Sequence, residues 1–218
     1  MAVKSPLGAL DVVRDAPVIP VIVLHNAKHA VPMARALLAG GIRMLEVTLR
    51  TPAALACIEA IARDVPEAMV GAGTVRSADD ARAAAVAGAR FLVSPGLTGA
   101  VAQASRDVQL SLLPGVATAS EIMQAREEGL HALKFFPALQ AGGRAMLQAW
   151  QGPFGDVCFC PTGGIHAGNA AEFLALKNVA CIGGSWLVPQ DALEQGDWGR
   201  ITALARAAAG LLIYRDRK

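Results

Sequence analysis

The sequence predicts a (β/α)8, or TIM, barrel with a short extra N-terminal helix, and three observations carry that reading. Eight short runs rich in Val, Ile, Leu or Phe recur along the chain. Ala-rich stretches with apolar residues at helical spacing separate them. The repeat is roughly 20–26 residues, the length of a minimal βα unit. Runs that are apolar on both faces suit parallel strands covered on both sides. Eight such units can close into a barrel, with functional residues at the C-terminal strand ends. The rival, an open doubly wound sheet that binds a dinucleotide, would carry G-x-G-x-x-G after its first strand, and none stands there. The 218 residues read as one domain without a linker, an N-terminal helix over 1–16 and a barrel over 17–218.

Taken in order, residues 1–15 place Leu7, Leu10 and Val13 at amphipathic spacing and lack the apolar core and cleavage site of a signal peptide. The strands centre near Val21, Val47, Ala72, Val93, Leu113, Lys134, Cys160 and Ile182. Helices are expected between them, for example over 31–38, 53–63, 79–86, 120–128 and 169–176. Gly40, Gly88 and Gly129 fall at helix ends, where a left-handed cap is expected.

Composition narrows the function classes. The chain is 54% hydrophobic and 17% charged, the profile of a well-buried enzyme rather than a disordered segment. A net charge of +2 with scattered Lys and Arg offers no basic stripe, which argues against nucleic acid. The longest apolar run, 16–24, is nine residues, well short of the ~20 a spanning helix needs, which argues against a membrane. Cys57, Cys158, Cys160 and Cys181 lack disulfide-framework or zinc spacing and read as core thiols in a reducing cytoplasm. His25, His29, His131 and His166 have no metal-ligand spacing, so no metal is expected.

The second strand, read over 44–50, carries the first chemical signal. Period 2 puts Glu46, Thr48 and Arg50 on one face and Leu45, Val47 and Leu49 on the other. The apolar set suits the outer helix layer. The polar set then points inward, where unpaired charge is costly. A buried structural ion pair and a functional site fit this strand equally well. An Arg at a strand's C-terminal end suits a carboxylate held by two parallel hydrogen bonds, and a Glu in a water-poor cavity suits proton transfer.

Lys134 stands out among five lysines as the one inside a strand, Ala132-Leu133-Lys134-Phe135-Phe136-Pro137. Lysine is almost never buried without a reason; a rim lysine whose head reaches water is the bland alternative. Burial and a nearby guanidinium both favour the neutral amine, which attacks a ketone to form an imine. Lys134, Glu46 and Arg50 would then supply nucleophile, proton carrier and carboxylate anchor.

The last two strands end in glycine pairs, Gly163-Gly164 and Gly183-Gly184, followed in the second case by Ser185. In barrels of this kind the loops after strands seven and eight often hold phosphate, and glycines let backbone N–H groups approach it. Ser185 adds a hydroxyl, expected at a helix N-terminus. Tight turns also use Gly-Gly. Thr74, ending strand three, is placed to bond a substrate oxygen, and the turns at 94–96 and 113–115 are either pocket wall or plain βα loops.

With these residues the sequence resembles the 2-keto-3-deoxy-6-phosphogluconate (KDPG) / 4-hydroxy-2-oxoglutarate (KHG) aldolases over nearly its whole length. The blocks that carry the likeness are Leu45-Glu46-Val47-Thr48-Leu49-Arg50-Thr51, Val70-Gly71-Ala72-Gly73-Thr74-Val75, Lys134-Phe135-Phe136-Pro137-Ala138, Phe159-Cys160-Pro161-Thr162-Gly163-Gly164 and Gly183-Gly184-Ser185-Trp186-Leu187. The resemblance implies a class I aldolase, a carbon–carbon lyase, with Lys134 as imine-forming lysine and Glu46 as acid/base. It implies Arg50 and Thr74 at the pyruvate carboxylate and Thr162, Gly163, Gly164 and Ser185 at the phosphate end, with Phe136 and Pro95 lining the pocket. It also implies a homotrimer in the cytoplasm, serving the Entner–Doudoroff route without a cofactor or metal. Leu139, where many members have Glu, Ala117, in place of a common Ser, and His166 depart from the usual pattern. An aldolase for the phosphogalactonate epimer is the same-class alternative, and a non-catalytic sugar-phosphate-binding barrel the different-class one; the latter leaves Lys134 without a use.

Overall fold

The computed structural model describes residues 8–211. The chain begins α1 (Ala9–Arg14), β1 (Val18–Ile22), a 3-10 turn (Ala27–His29), α2 (Ala30–Ala39), β2 (Met44–Thr48), α3 (Ala54–Asp64) and β3 (Met69–Gly73). It continues α4 (Ala78–Val86), β4 (Phe91–Val93), α5 (Gly99–Asp107), β5 (Ser111–Leu113), β6 (Gly115–Val116), α6 (Ala119–Glu127) and β7 (Ala132–Phe135). It ends α7 (Gly143–Trp150), β8 (Cys158–Pro161), α8 (Ala170–Leu174), β9 (Ile182–Gly184), α9 (Gln190–Gln195) and α10 (Trp198–Ala209). Several helices start where a hydroxyl can satisfy a free amide. Ser77 and Thr98 accept from Asp80 N and Val101 N, and Thr118 forms a reciprocal capping box with Glu121.

The architecture is α/β with curled, parallel sheets. Six strands pair in the order β5-β4-β3-β2-β1-β9, and three pair as β6-β7-β8. Parallel bridges Phe159↔Val179 and Thr162↔Gly183 join the β8 edge to the β9 segment. At the other junction only Pro114 separates β5 from β6. A proline has no amide to donate, although its carbonyl accepts from Lys134 N at 2.8 Å. The single fifth strand expected around Leu113 is therefore two short pieces.

Alternation along the strands divides the core in two. Leu45 and Val47 join the outer cluster with helix residues such as Leu37, Ile58 and Ile61. The inner cluster joins Ile19, Met44, Phe91, Val93, Leu113, Ala132, Cys160 and Cys181 with Val12 and Val13 of α1. The N-terminal helix thus plugs one end of the curled sheet and leaves the other for chemistry. Of the helix expected over 1–16, residues 1–7 lie outside the described residues, as do 212–218 at the other end.

Three further expectations need correction. β2 ends at Thr48, so Arg50 sits in the turn beyond it. Gly40 is right-handed (φ −87°), and Gly41 (φ +89°) takes the left-handed position instead. What Gly40 provides is close approach: a β-carbon there would come within 2.8 Å of Thr202 O in α10. Gly88 and Gly129 are left-handed as expected, at φ +89° and +76°. Ser185 is not at a helix N-terminus, since a turn intervenes before α9 begins at Gln190. Among the described residues no helix is long and apolar enough to cross a membrane.

Candidate active site

Each expected site residue lies in, or within a few positions after, the C-terminal half of a parallel strand, so all share one end of the sheet. At its centre are Glu46 on β2 and Lys134 on β7, 88 residues apart in sequence. They are 3% and 4% exposed, and Lys134 Nζ donates to Glu46 Oε1 at 3.3 Å. Nζ also lies 5.3 Å from the centre of the Phe136 ring, which forms an apolar wall beside the amine. Register places Lys134 between Gly115 of β6 and Cys160 of β8, and Glu46 between Val21 of β1 and Gly71 of β3.

Thr48 shares the inward face with Glu46, but its hydroxyl donates to Ile22 O at 2.9 Å. It ties β2 to β1 and is not offered to a ligand. Arg50 is exposed in the turn, and its Nε donates to Thr74 Oγ1 at 3.2 Å. Thr74 has φ +60°, an uncommon conformation for a β-branched residue, and it puts the hydroxyl against the guanidinium. The two are brought together as an exposed arginine fork with a neighbouring hydroxyl.

On the opposite wall Thr162 is buried at the end of β8, its Oγ1 3.4 Å from Cys160 O. Gly163 and Gly164 follow with φ +103° and +74°, a left-handed pair that side-chain-bearing residues rarely adopt. Gly163 O accepts from Leu139 N at 3.2 Å and Gly164 O accepts from Asn169 Nδ2 at 3.1 Å, so the turn is fixed from both sides. Leu139 is exposed and packs over Gly164, where a β-carbon would fall 2.7 Å from its Cγ. His166 closes the loop by accepting from Gly168 N. Ser185 is exposed directly after β9, and Pro95 is exposed after β4 with its backbone against Gly115.

Of the four cysteines, Cys160 borders the site, in register with Lys134 and with its Sγ 3.9 Å from Thr162 Oγ1. None of the four forms a disulfide, and burial pushes Cys57 and Cys158 up from the usual thiol range. Sequence reasoning missed Gly73, whose bare α-carbon lies under Glu46. The signal available was the Gly71-Ala72-Gly73 alternation on the strand paired with β2.

A buried primary amine beside a carboxylate, with an arginine fork across the rim and a glycine turn beyond, is the equipment of an imine-forming lyase that works on oxo acids. The family model for KDPG and KHG aldolase matches residues 10–204. The KHG/KDPG aldolase of Escherichia coli (strain K12) is 54% identical over 201 residues, 92% of this chain and 94% of the relative. A KDPG aldolase from Legionella pneumophila, solved with pyruvate captured as a covalent carbinolamine intermediate, superposes with a TM-score of 0.91 at 46% identity, covering 93% of this chain and 98% of that one. The Zymomonas mobilis ZM4 aldolase, solved with 3-phosphoglycerate, gives 0.88 at 44% identity over 93% and 95%. This chain belongs to the KDPG and KHG aldolase family.

Proposed function

We propose that this chain is a class I aldolase that cleaves 2-dehydro-3-deoxy-6-phosphogluconate to pyruvate and glyceraldehyde 3-phosphate, and 4-hydroxy-2-oxoglutarate to pyruvate and glyoxylate. The observation that carries the reading is the buried contact between Lys134 Nζ and Glu46 Oε1. A non-catalytic sugar-phosphate binder has no use for an interior amine.

In this reading Lys134 gives up its ammonium proton and attacks the C2 carbonyl as the free amine, and the carbinolamine takes a proton back on its hydroxyl as water leaves, giving a protonated imine. The Glu46 carboxylate takes the proton of the C4 hydroxyl, the C3–C4 electron pair moves into the iminium, and the aldehyde leaves. Glu46 then delivers a proton to C3 of the enamine, and water returns pyruvate and the free amine. Arg50 and Thr74 hold the pyruvate carboxylate, Thr162, Gly163, Gly164 and Ser185 hold the phosphate end, and Phe136 and Pro95 wall the pocket. The protein's own amine and carboxylate carry the chemistry.

The same reading extends to the assembly. The two sheets act as one closed (β/α)8 barrel and a single domain; the bridges from β8 to β9 and the one-proline gap between β5 and β6 support that closure. Family membership supports a homotrimer working in the cytoplasm on the Entner–Doudoroff route. The direct test is cleavage of each 2-oxo acid by the purified protein, with pyruvate release followed by coupling to lactate dehydrogenase. Release of pyruvate from the phosphorylated acid, lost in Lys134→Arg, is expected; equal release by that variant would sink the reading.

A further inference from the structure

β3 brings two inward-facing glycines to the wall beside β2. Register pairs Glu46 with Gly71 and Thr48 with Gly73. Side chains on a strand lean along its direction, and the Glu46 carboxylate lies over Gly73 rather than over its own partner. A β-carbon on Gly73 would fall 2.6 Å from Glu46 Cγ, 2.8 Å from Cδ and closer still to Oε1, whereas real contacts of that kind stay beyond 3.0 Å. The space a methyl group would need at Gly73 is the space the glutamate occupies. Gly71 does the same below, where a β-carbon would come within 2.5 Å of the Phe91 ring of the inner cluster.

Both partners are confined, the Gly73 backbone the more firmly. Glu46 is buried and has Lys134 Nζ at 3.3 Å on its other side. The end of β3 is tied to β2 by Leu49 N donating to Gly73 O at 2.8 Å, and Thr74, next in the chain, is engaged by Arg50. Moving the Gly73 backbone away would break the first bond and disturb the arginine fork. The glutamate is therefore the group that must yield to a larger residue at position 73.

We propose that Gly73 is a positioning residue: its missing side chain seats the Glu46 carboxylate against the Lys134 amine, and a larger residue displaces the proton carrier while leaving the lysine able to form an imine. The inference rests on the imine mechanism above and adds a requirement to it. A proton carrier misplaced by about 1 Å can cost on the order of 10²-fold in rate, while attack of the amine on a carbonyl does not need the carboxylate in one exact place.

The test uses Gly73→Ala, Glu46→Asp and the double variant, each read two ways. Borohydride trapping of pyruvate on Lys134 reports imine formation, and loss of the pyruvate methyl signal in D2O by NMR reports proton transfer. Gly73→Ala should lose on the order of 10²-fold in methyl exchange while trapping at saturating pyruvate changes by less than about threefold. Glu46→Asp is shorter by one methylene and withdraws from Gly73. Adding Gly73→Ala to it should therefore cost less than about threefold more, a strongly non-additive result. Wild-type exchange in Gly73→Ala, an equal loss of trapping and exchange, or full additivity with Glu46→Asp would overturn the proposal. If Gly73→Ala does not fold, the double variant decides. A folded, trap-competent double supports the clash with Glu46, and an unfolded one overturns it. Absence of any adduct on Lys134 in the unaltered protein is a separate result that removes the imine mechanism, and this inference with it.

Discussion

Deleting the Lys134 ammonium should destabilise the protein more than deleting the whole Lys134–Glu46 pair. Both side chains are almost fully buried, with their nearest polar atoms 3.3 Å apart. At an effective dielectric of about 20, unit charges at that spacing attract by roughly 5 kcal/mol. Removing both from water costs several kcal/mol per ion, so the net gain from the pair is small. Deleting one partner is different, because it strands a buried charge at a cost of about 3–5 kcal/mol. The contact is longer than the ~2.7–2.9 Å of a tight charge-assisted bond, which puts the expected loss near the lower end, about 3 kcal/mol. For a chain of this size that corresponds to a fall in Tm of about 6–12 °C. Lys134→Met keeps the apolar stem and removes the charge; Glu46→Leu then fills the space beneath. The double variant should regain at least about 2 kcal/mol over Lys134→Met alone. Urea unfolding of the four proteins at one protein concentration and near-neutral pH measures the cycle. A Lys134→Met variant as stable as the parent, or a double variant whose loss is the sum of the singles, would refute the view of these residues as a charged couple buried for chemistry.

Other consequences reach the rest of the site. Ser185→Ala should raise KM for the phosphorylated substrate roughly tenfold, as expected for one hydrogen bond to a charged group, and leave KM for 4-hydroxy-2-oxoglutarate within about twofold. Equal effects on both substrates would count against Ser185 at the phosphate. Arg50→Lys keeps the charge but not the planar fork, and should lower kcat/KM by roughly 10–100-fold, mainly through KM; an unchanged KM would detach Arg50 from the carboxylate. Because burial holds the Cys57 and Cys158 thiols protonated, the native protein should alkylate with iodoacetamide far more slowly than the urea-unfolded chain. Rapid labelling of either residue in the native protein would contradict that.

The central chemistry was legible because charge in an apolar strand is conspicuous. Glu46 and Lys134 each stand alone between residues that bury against helices, and period 2 told which way they face. Their contact was not legible from spacing, since 88 residues separate them and only the curl of the sheets brings β2 and β7 together. The polar set on β2 was legible as a set but not by role: Thr48 serves a backbone carbonyl, and Arg50 leaves the strand for the turn. Turn chemistry hid where other elements begin and end. α5 begins at Gly99 and α7 at Gly143, where glycine reads as loop, and Pro114 splits a strand that its apolar neighbours make look continuous. Gly40 resembled a helix cap because its tight contact with α10 joins segments more than 160 residues apart. Gly73 was illegible for a similar reason, since its purpose is the side chain of a residue on another strand.

The most direct measurement is borohydride reduction in the presence of pyruvate, followed by proteolysis and mass mapping of the peptide that holds Lys134. The account predicts a single reduced pyruvate adduct on Lys134, with loss of cleavage activity in proportion to labelling. No adduct, or an adduct on Lys28 or Lys177 with Lys134 unmodified, would contradict it.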